Sequence, residues 1–131
     1  MDNCADFGID LEKARSRLQK QEEERTERLH SRWLEAQRDF ENITARIIKT
    51  CSPRKIYQWG SLLDFSRFSE ISDIDIALEG LSGPEEYFRI LGFCLGMTSF
   101  PVDVIEIDKI DKETARQIQE YGKLVYEHKD S

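Results

Sequence analysis

The sequence predicts an α/β fold: a small mixed β-sheet with helices packed on it, plus a long N-terminal helix. Three observations lead there. Between Leu11 and Ile48 there is no Gly or Pro, and Leu11, Ala14, Leu18, Leu29, Trp33, Ala36, Phe40, Ile43 and Ile47 recur at three- or four-residue steps, the period of an amphipathic helix. Three short runs alternate like strands, at 55–59, 73–78 and 102–107. Helical stretches separate those runs, so α and β layers share one sheet.

Taken in order, the first stretch is one or two helices, and an unbroken helix from Leu11 to Ile48 would be about 57 Å long at 1.5 Å per residue. That exceeds the diameter of a small domain, so part of it projects, folds back or meets a partner. The apolar stripe disappears between Gln19 and Arg28, which places a helical extension at 1–30 and the folded domain at 31–131. Ser52-Pro53 stops the helix, and Lys55–Trp59 reads as a strand running into Gly60. Ser61–Phe68 reads as a short helix. Asp73–Leu78 reads as a strand with Ile74, Ile76 and Leu78 on one face and Asp73, Asp75 and Ala77 on the other. A helix over Pro84–Met97, a strand over Val102–Ile107 and a last helix over Glu113–Tyr126 complete the order.

Length and composition narrow the function classes. At 131 residues the chain is about one domain, with enough aromatic volume for a core that needs no staple. No apolar stretch is long enough for a transmembrane helix, and the first residues lack the basic and apolar blocks of a signal peptide. Three widely spaced cysteines, Cys4, Cys51 and Cys94, suit free thiols in a reducing compartment, so a cytoplasmic location is expected. The net charge of -7 belongs mostly to residues 51–131, which hold 15 acidic and 9 basic side chains. That balance repels a phosphate backbone and makes nucleic acid an unfavourable partner.

Chemistry concentrates in Trp59-Gly60-Ser61, in Ser72-Asp73-Ile74-Asp75-Ile76-Ala77 and in Val102-Asp103-Val104. A Gly-Ser turn offers backbone donors and one hydroxyl to a polyphosphate. Carboxylates at i and i+2 on a strand point to one face, about 6.6 Å apart at their roots, a span that can flank two divalent ions about 3.5 to 4 Å from each other. Asp is poorly suited to strand interiors, yet two lie in the most strand-like run of the chain. Asp103 shares its strand face with Ile105 and Ile107, which predicts buried surface around it. Three converging carboxylates repel unless a cation neutralises them. Taken singly, each element has a plainer reading as a turn or a solvated strand face.

Together, Ile56-Tyr57-Gln58-Trp59-Gly60-Ser61, Ser72-Asp73-Ile74-Asp75-Ile76-Ala77, Val102-Asp103-Val104-Ile105 and the ending Ile118–Tyr126 resemble the DNA polymerase beta-like nucleotidyltransferase superfamily. Within it they are similar to the minimal nucleotidyltransferases paired with HEPN-type toxins, over about residues 40 to 127. The resemblance implies that Asp73, Asp75 and Asp103 are catalytic and hold two Mg²⁺ ions, with Asp103 helping to deprotonate the attacking hydroxyl. It further implies that Gly60 and Ser61 seat the outer phosphates, that ATP is the donor, and that the acceptor is a tyrosine hydroxyl of a HEPN-type toxin silenced by adenylylation; Ser72 and Arg67 are expected to bind the nucleotide beside them.

Relatives commonly carry Arg-Gly shortly after Gly-Ser, where this chain has Leu62-Leu63-Asp64-Phe65. Arg67 could replace the missing positive charge. Asp64 would oppose phosphates with about 4 kcal/mol at 4 Å and an effective dielectric near 20. Two other functions therefore compete: an antitoxin with weak or no catalysis that acts by contact, through the projecting helix and the face near Trp33 and Phe40, and a small-molecule nucleotidyltransferase. The long helix also predicts a homodimer through residues 11 to 30.

Overall fold

The Gly- and Pro-free run is realised as a single helix, α1 (Asn3–Thr50), continuous across the stretch where the apolar stripe fails. The structure, a computed structural model, describes the backbone of residues 3–129 and side chains from residue 10 onward. Its two compact units divide between Arg32 and Trp33. In the first unit, residues 10–32 are exposed except for half-buried Leu29.

In the second unit, Ala36, Phe40, Ile43 and Ile47 of α1 are buried at helical spacing, Ile43 and Ile47 completely. Phe40 and half-buried Trp33 thus belong to the domain interior, and the contact face expected around them is not a free surface. Helix α1 ends at Thr50, just before Ser52-Pro53, and β1 (Lys55–Trp59) follows.

The strands β1, β2 (Ile74–Glu79), β3 (Val102–Glu106) and β4 (Lys123–Glu127) form one mixed sheet in the order β3-β2-β1-β4. Strand β1 pairs antiparallel with β2 and β4, and β2 pairs parallel with β3. The parallel pair requires a crossover, and α2 (Pro84–Met97) supplies it, opened by a proline in its first turn.

Both faces of the sheet are covered. On one, Ile56, Ile74, Ile76 and Leu78 are fully buried. Each such side chain contributes about 1.5 to 3 kcal/mol through removal from water. Helices α1 and α2 belong to this side. Gln58 Nε2 donates to Gln37 Oε1 at 2.9 Å, Thr98 Oγ1 donates to Asp39 at 2.6 Å, and the Arg46 guanidinium lies 4.7 Å from the centre of the Phe93 ring. On the other face Tyr57, Ala77, Ile107 and Ile118 form a second small core, joined by Trp59, Ile105, Ile110 and Ala115. Helix α3 (Lys112–Tyr121) supplies Ile118 and Ala115 to it, and the Asp111 carboxylate caps that helix by accepting from the Thr114 N–H at 3.0 Å.

The structure corrects several sequence expectations. The expected last helix stops at Tyr121, where the Gly122 N–H donates to Ile118 O at 2.8 Å. Lys123–Glu127 then becomes a strand because the free edge of β1 offers its ladder and Leu-Val-Tyr suits one. The expected helix over Ser61–Phe68 is two 3₁₀ turns, Gly60–Leu63 and Phe65–Arg67, interrupted at Asp64. Asp73 precedes β2 rather than opening it, and Ile107 lies in a 3₁₀ turn after β3. Cys51 and Cys94 are free and buried, as free thiols were expected to be; Cys4 lies outside the described side chains. Among the described residues no helix is long and apolar enough to cross a membrane.

Candidate functional site

Strand register assembles the site. Trp59 of β1 pairs with Asp75 of β2, and Asp75 pairs with Asp103 of β3, so three neighbouring strands present these side chains in one row. Strands lie about 4.8 Å apart, which makes Asp75 and Asp103 adjacent carboxylates on one sheet face. The next row inward is Tyr57, Ala77 and Ile105, part of the second core, so the acidic row stands at the rim of a packed apolar patch. Asp73, two residues before Asp75, also acts on it electrostatically.

Asp73 just before the strand is half-buried, and of the two carboxylates in the row Asp75 is the half-buried one. Burial first, then the charge of Asp103, then that of Asp73, pushes its carboxyl up from 3.8 to about 6. Among the described residues no hydrogen bond is made to it. Asp103, expected beside buried surface, is exposed at the start of its strand. The desolvation falls on Asp75 because β2 is an interior strand, flanked on both sides.

Gly60 follows β1 with φ +83°, in the left-handed region that favours glycine, and a Cβ there would overlap Asp75 Oδ2. The absence of a side chain lets the turn backbone pass directly against that carboxylate. Ser61 comes next, half-buried, with no hydrogen bond on its hydroxyl among the described residues. The turn is held from the opposite side of the sheet. Leu62 is completely buried, and its carbonyl accepts from Trp33 Nε1 at 3.0 Å and Gln37 Nε2 at 2.7 Å. Gln37 is fixed in turn by Gln58 on β1, and Trp33 meets Phe65 edge to face at 5.7 Å.

Gln37 and Gln58 were missed in the sequence. The available signal was a polar residue four positions after Trp33, on the same helical face as Trp33 and Phe40.

The remaining candidates stand apart from this row. The Ser72 hydroxyl accepts from the Ser69 N–H at 2.8 Å and shapes the turn before Asp73. Arg67 is exposed, and its charge acts on Asp64. The Asp64 carboxylate accepts from Ser66 N–H at 3.0 Å and Ser66 Oγ at 2.8 Å, which holds it below the usual carboxylate range. Asp64 therefore caps its own turn, and it is absent from the charges that raise Asp75.

Metal binding can be tested against this donor set. Among the described residues no three His, Cys, Asp or Glu side chains close into a group that holds a cation unaided. Mg²⁺ characteristically takes one or two carboxylates and completes its octahedron with water and substrate phosphates. Two neighbouring carboxylates with Asp73 close by, hard oxygen donors without hydrogen-bond competition at Asp75, fit that mode. The half-buried charge that Asp103 and Asp73 destabilise is the one a divalent ion would stabilise most.

No family model matches the chain, and no curated protein matches it. Among solved structures, one described as the toxin–antitoxin MntA–HpeT, a mutant with two aspartates changed to glutamates, aligns with TM-score 0.53 at 18% identity, covering 68% of this chain and 74% of that one. The architecture is thus the expected one, an α/β fold with a small mixed sheet, packed helices and a long N-terminal helix, and that structure shares the fold over the aligned part.

Proposed function

We propose that the chain is a nucleotidyltransferase that moves AMP from ATP to a hydroxyl of a partner protein. The observation that carries this reading is the row of Asp75 and Asp103 with Gly60 pressed against the Asp75 carboxylate, which brings a phosphate-seating turn and paired acidic side chains to one spot. Asp73, Asp75 and Asp103 would hold Mg²⁺, which supplies charge neutralisation for the polyphosphate and lowers the pKa of the acceptor hydroxyl. The backbone N–H groups of the Gly60 turn and the Ser61 hydroxyl bind the outer phosphates. Asp103, the most open of the carboxylates in the row, takes the proton of the attacking hydroxyl. The new bond joins that oxygen to the α-phosphorus, the bond from the α-phosphorus to the bridging oxygen breaks, and pyrophosphate leaves toward Gly60 and Ser61. Positioning and electrostatics account for most of the rate.

The partner is read from the likeness to a structure described as a toxin–antitoxin pair, together with the family resemblance in the motifs. It is a HEPN-type toxin with an acceptor tyrosine, and this chain is its cytoplasmic antitoxin. Asp64 caps its own turn through Ser66 and is not among the charges that act on Asp75.

The test is transfer of label from α-labelled ATP, with Mg²⁺, to protein in a lysate of the source cells, beside an Asp73→Asn, Asp75→Asn double variant. Label on one band, lost with the variant, supports the reading and identifies the acceptor by mass. No transfer from any nucleoside triphosphate would refute it in favour of an antitoxin acting by contact.

A further inference from the structure

One flank of α3 overlooks the carboxylate row and takes no part in the contacts described above. Strand β3 ends away from the row, whereas β4 begins beside it, since Lys123 pairs with Gln58, the neighbour of Trp59. Helix α3 therefore runs diagonally over the site face of the sheet, with Ile118 packed on Tyr57 and Ala77. Its end stands close to the row, because a Cβ on Gly122 would lie 3.1 Å from Gln58 O. Gln119 leaves one flank of the helix and donates to Glu79 at 3.0 Å, at the end of β2 farthest from Asp75. Gln117 and Tyr121 each stand two residues from Gln119, about 200° around a helix of 3.6 residues per turn. As i, i+4 neighbours they share the opposite flank, the one turned toward Asp75 and Asp103. Tyr121 is 70% exposed and Gln117 is exposed too. Among the described residues no hydrogen bond or ring contact engages either side chain.

We propose that this flank binds the base of the nucleotide, with Tyr121 stacked on the ring and Gln117 reading its edge. The inference rests on the nucleotidyl-transfer reading and adds to it a physical reason for preferring one base. An exposed aromatic ring stacks on any base, so Tyr121 supplies affinity rather than selectivity. A primary amide presents a donor and an acceptor side by side, and these match the N6 amino group and N7 of adenine. Guanine offers two acceptors at the same edge, which one amide cannot meet together. The position suits a nucleoside as well. Tyr121 stands on the Trp59 side of Asp75, one to two strand spacings away, roughly 5 to 10 Å in the plane of the sheet. Gln117 and Tyr121 are uncharged, as the base is, while the acidic row and the Gly60 turn are left to the cation and the phosphates.

The test is calorimetric titration of the full chain, in Mg²⁺, with ATP, GTP and inorganic tripolyphosphate, beside thermal melts of each variant. The wild type should bind ATP more tightly than GTP or tripolyphosphate. Tyr121→Ala should weaken ATP about tenfold, the weight of one base stack, and leave both the tripolyphosphate affinity and the melting temperature unchanged. Tyr121→Phe should keep the wild-type affinity, and Gln117→Ala should bring ATP to the level of GTP. Undiminished ATP binding by Tyr121→Ala overturns the proposal, and so does an equal loss of ATP and tripolyphosphate, or a Gln117→Ala variant that still prefers ATP. A wild type that binds tripolyphosphate as tightly as ATP overturns it while the phosphate site stands. A wild type that binds neither refutes the nucleotide reading itself.

Discussion

Asp75→Asn tests the electrostatics of the site without relying on turnover. The wild-type carboxyl is raised from 3.8 to about 6 by burial, by Asp103 and by Asp73. A group raised in the folded state contributes stability that is fully present below its unfolded value of 3.8 and is lost as the pH rises through about 6. The full shift corresponds to about 3 kcal/mol at 1.36 kcal/mol per unit of pKa, and solvent screening of a half-exposed side chain reduces this to about 1.5 kcal/mol. Asparagine keeps the shape and removes the charge. The variant should therefore melt about 5 °C above wild type at pH 8 in a chelator, taking about 3 to 5 °C per kcal/mol for a domain of this size. At pH 4 the difference should vanish. Millimolar Mg²⁺ at pH 8 should raise the wild-type midpoint and leave that of the variant nearly unchanged, since a cation that binds only the native site stabilises it by mass action. Thermal melts across pH, with and without Mg²⁺, measure all of this. Equal or lower stability of the variant at pH 8 would refute the claim that Asp75 carries a destabilised charge.

Three further outcomes are expected. Gly60→Ala forces a side chain into the left-handed region and against Asp75, and should cost about 1 to 3 kcal/mol in urea denaturation while abolishing label transfer. Gln37→Ala removes the amide that joins Leu62 O to Gln58; it should cost about 1 to 3 kcal/mol and raise the KM for ATP more than it lowers kcat, as steady-state kinetics would show. Gly122→Ala drives a methyl group into Ile118 O, where only backbone could yield, and should lower the melting temperature by several degrees, about 2 kcal/mol, as β4 is displaced from β1.

What the sequence disclosed follows from which signals are local. The alternation around Ile74, Asp75 and Ile76 is a strand signal in any context, and the pairing of Asp75 with Asp103 followed from two strands each having one mixed face. The failure at Lys123–Glu127 has the opposite cause. That run has no alternation of its own, and its strand state is set by an edge of β1 some 65 positions earlier in the chain. The displaced burial of the carboxylates is likewise tertiary, since Asp75 rather than Asp103 is desolvated by sitting on an interior strand. Gln37 could be placed on the inward face of a helix, but its two partners, a loop carbonyl and a strand amide, exist only after folding.

The two hydrogen bonds that the Leu62 carbonyl accepts, from Trp33 and Gln37, also bear on the order in which the molecule can come apart. The stretch from Trp33 to Gln37 opens the second unit, ahead of the deeply buried anchors Ile43 and Ile47. Fraying that stops at Gln37 would free the turn over Asp75 while those anchors and the sheet ladders stayed intact. The conformation of the Gly60 turn would then be lost at a smaller free energy than the fold itself, and amide exchange at Ser61 to Leu63 would report the loss before any change in the strands.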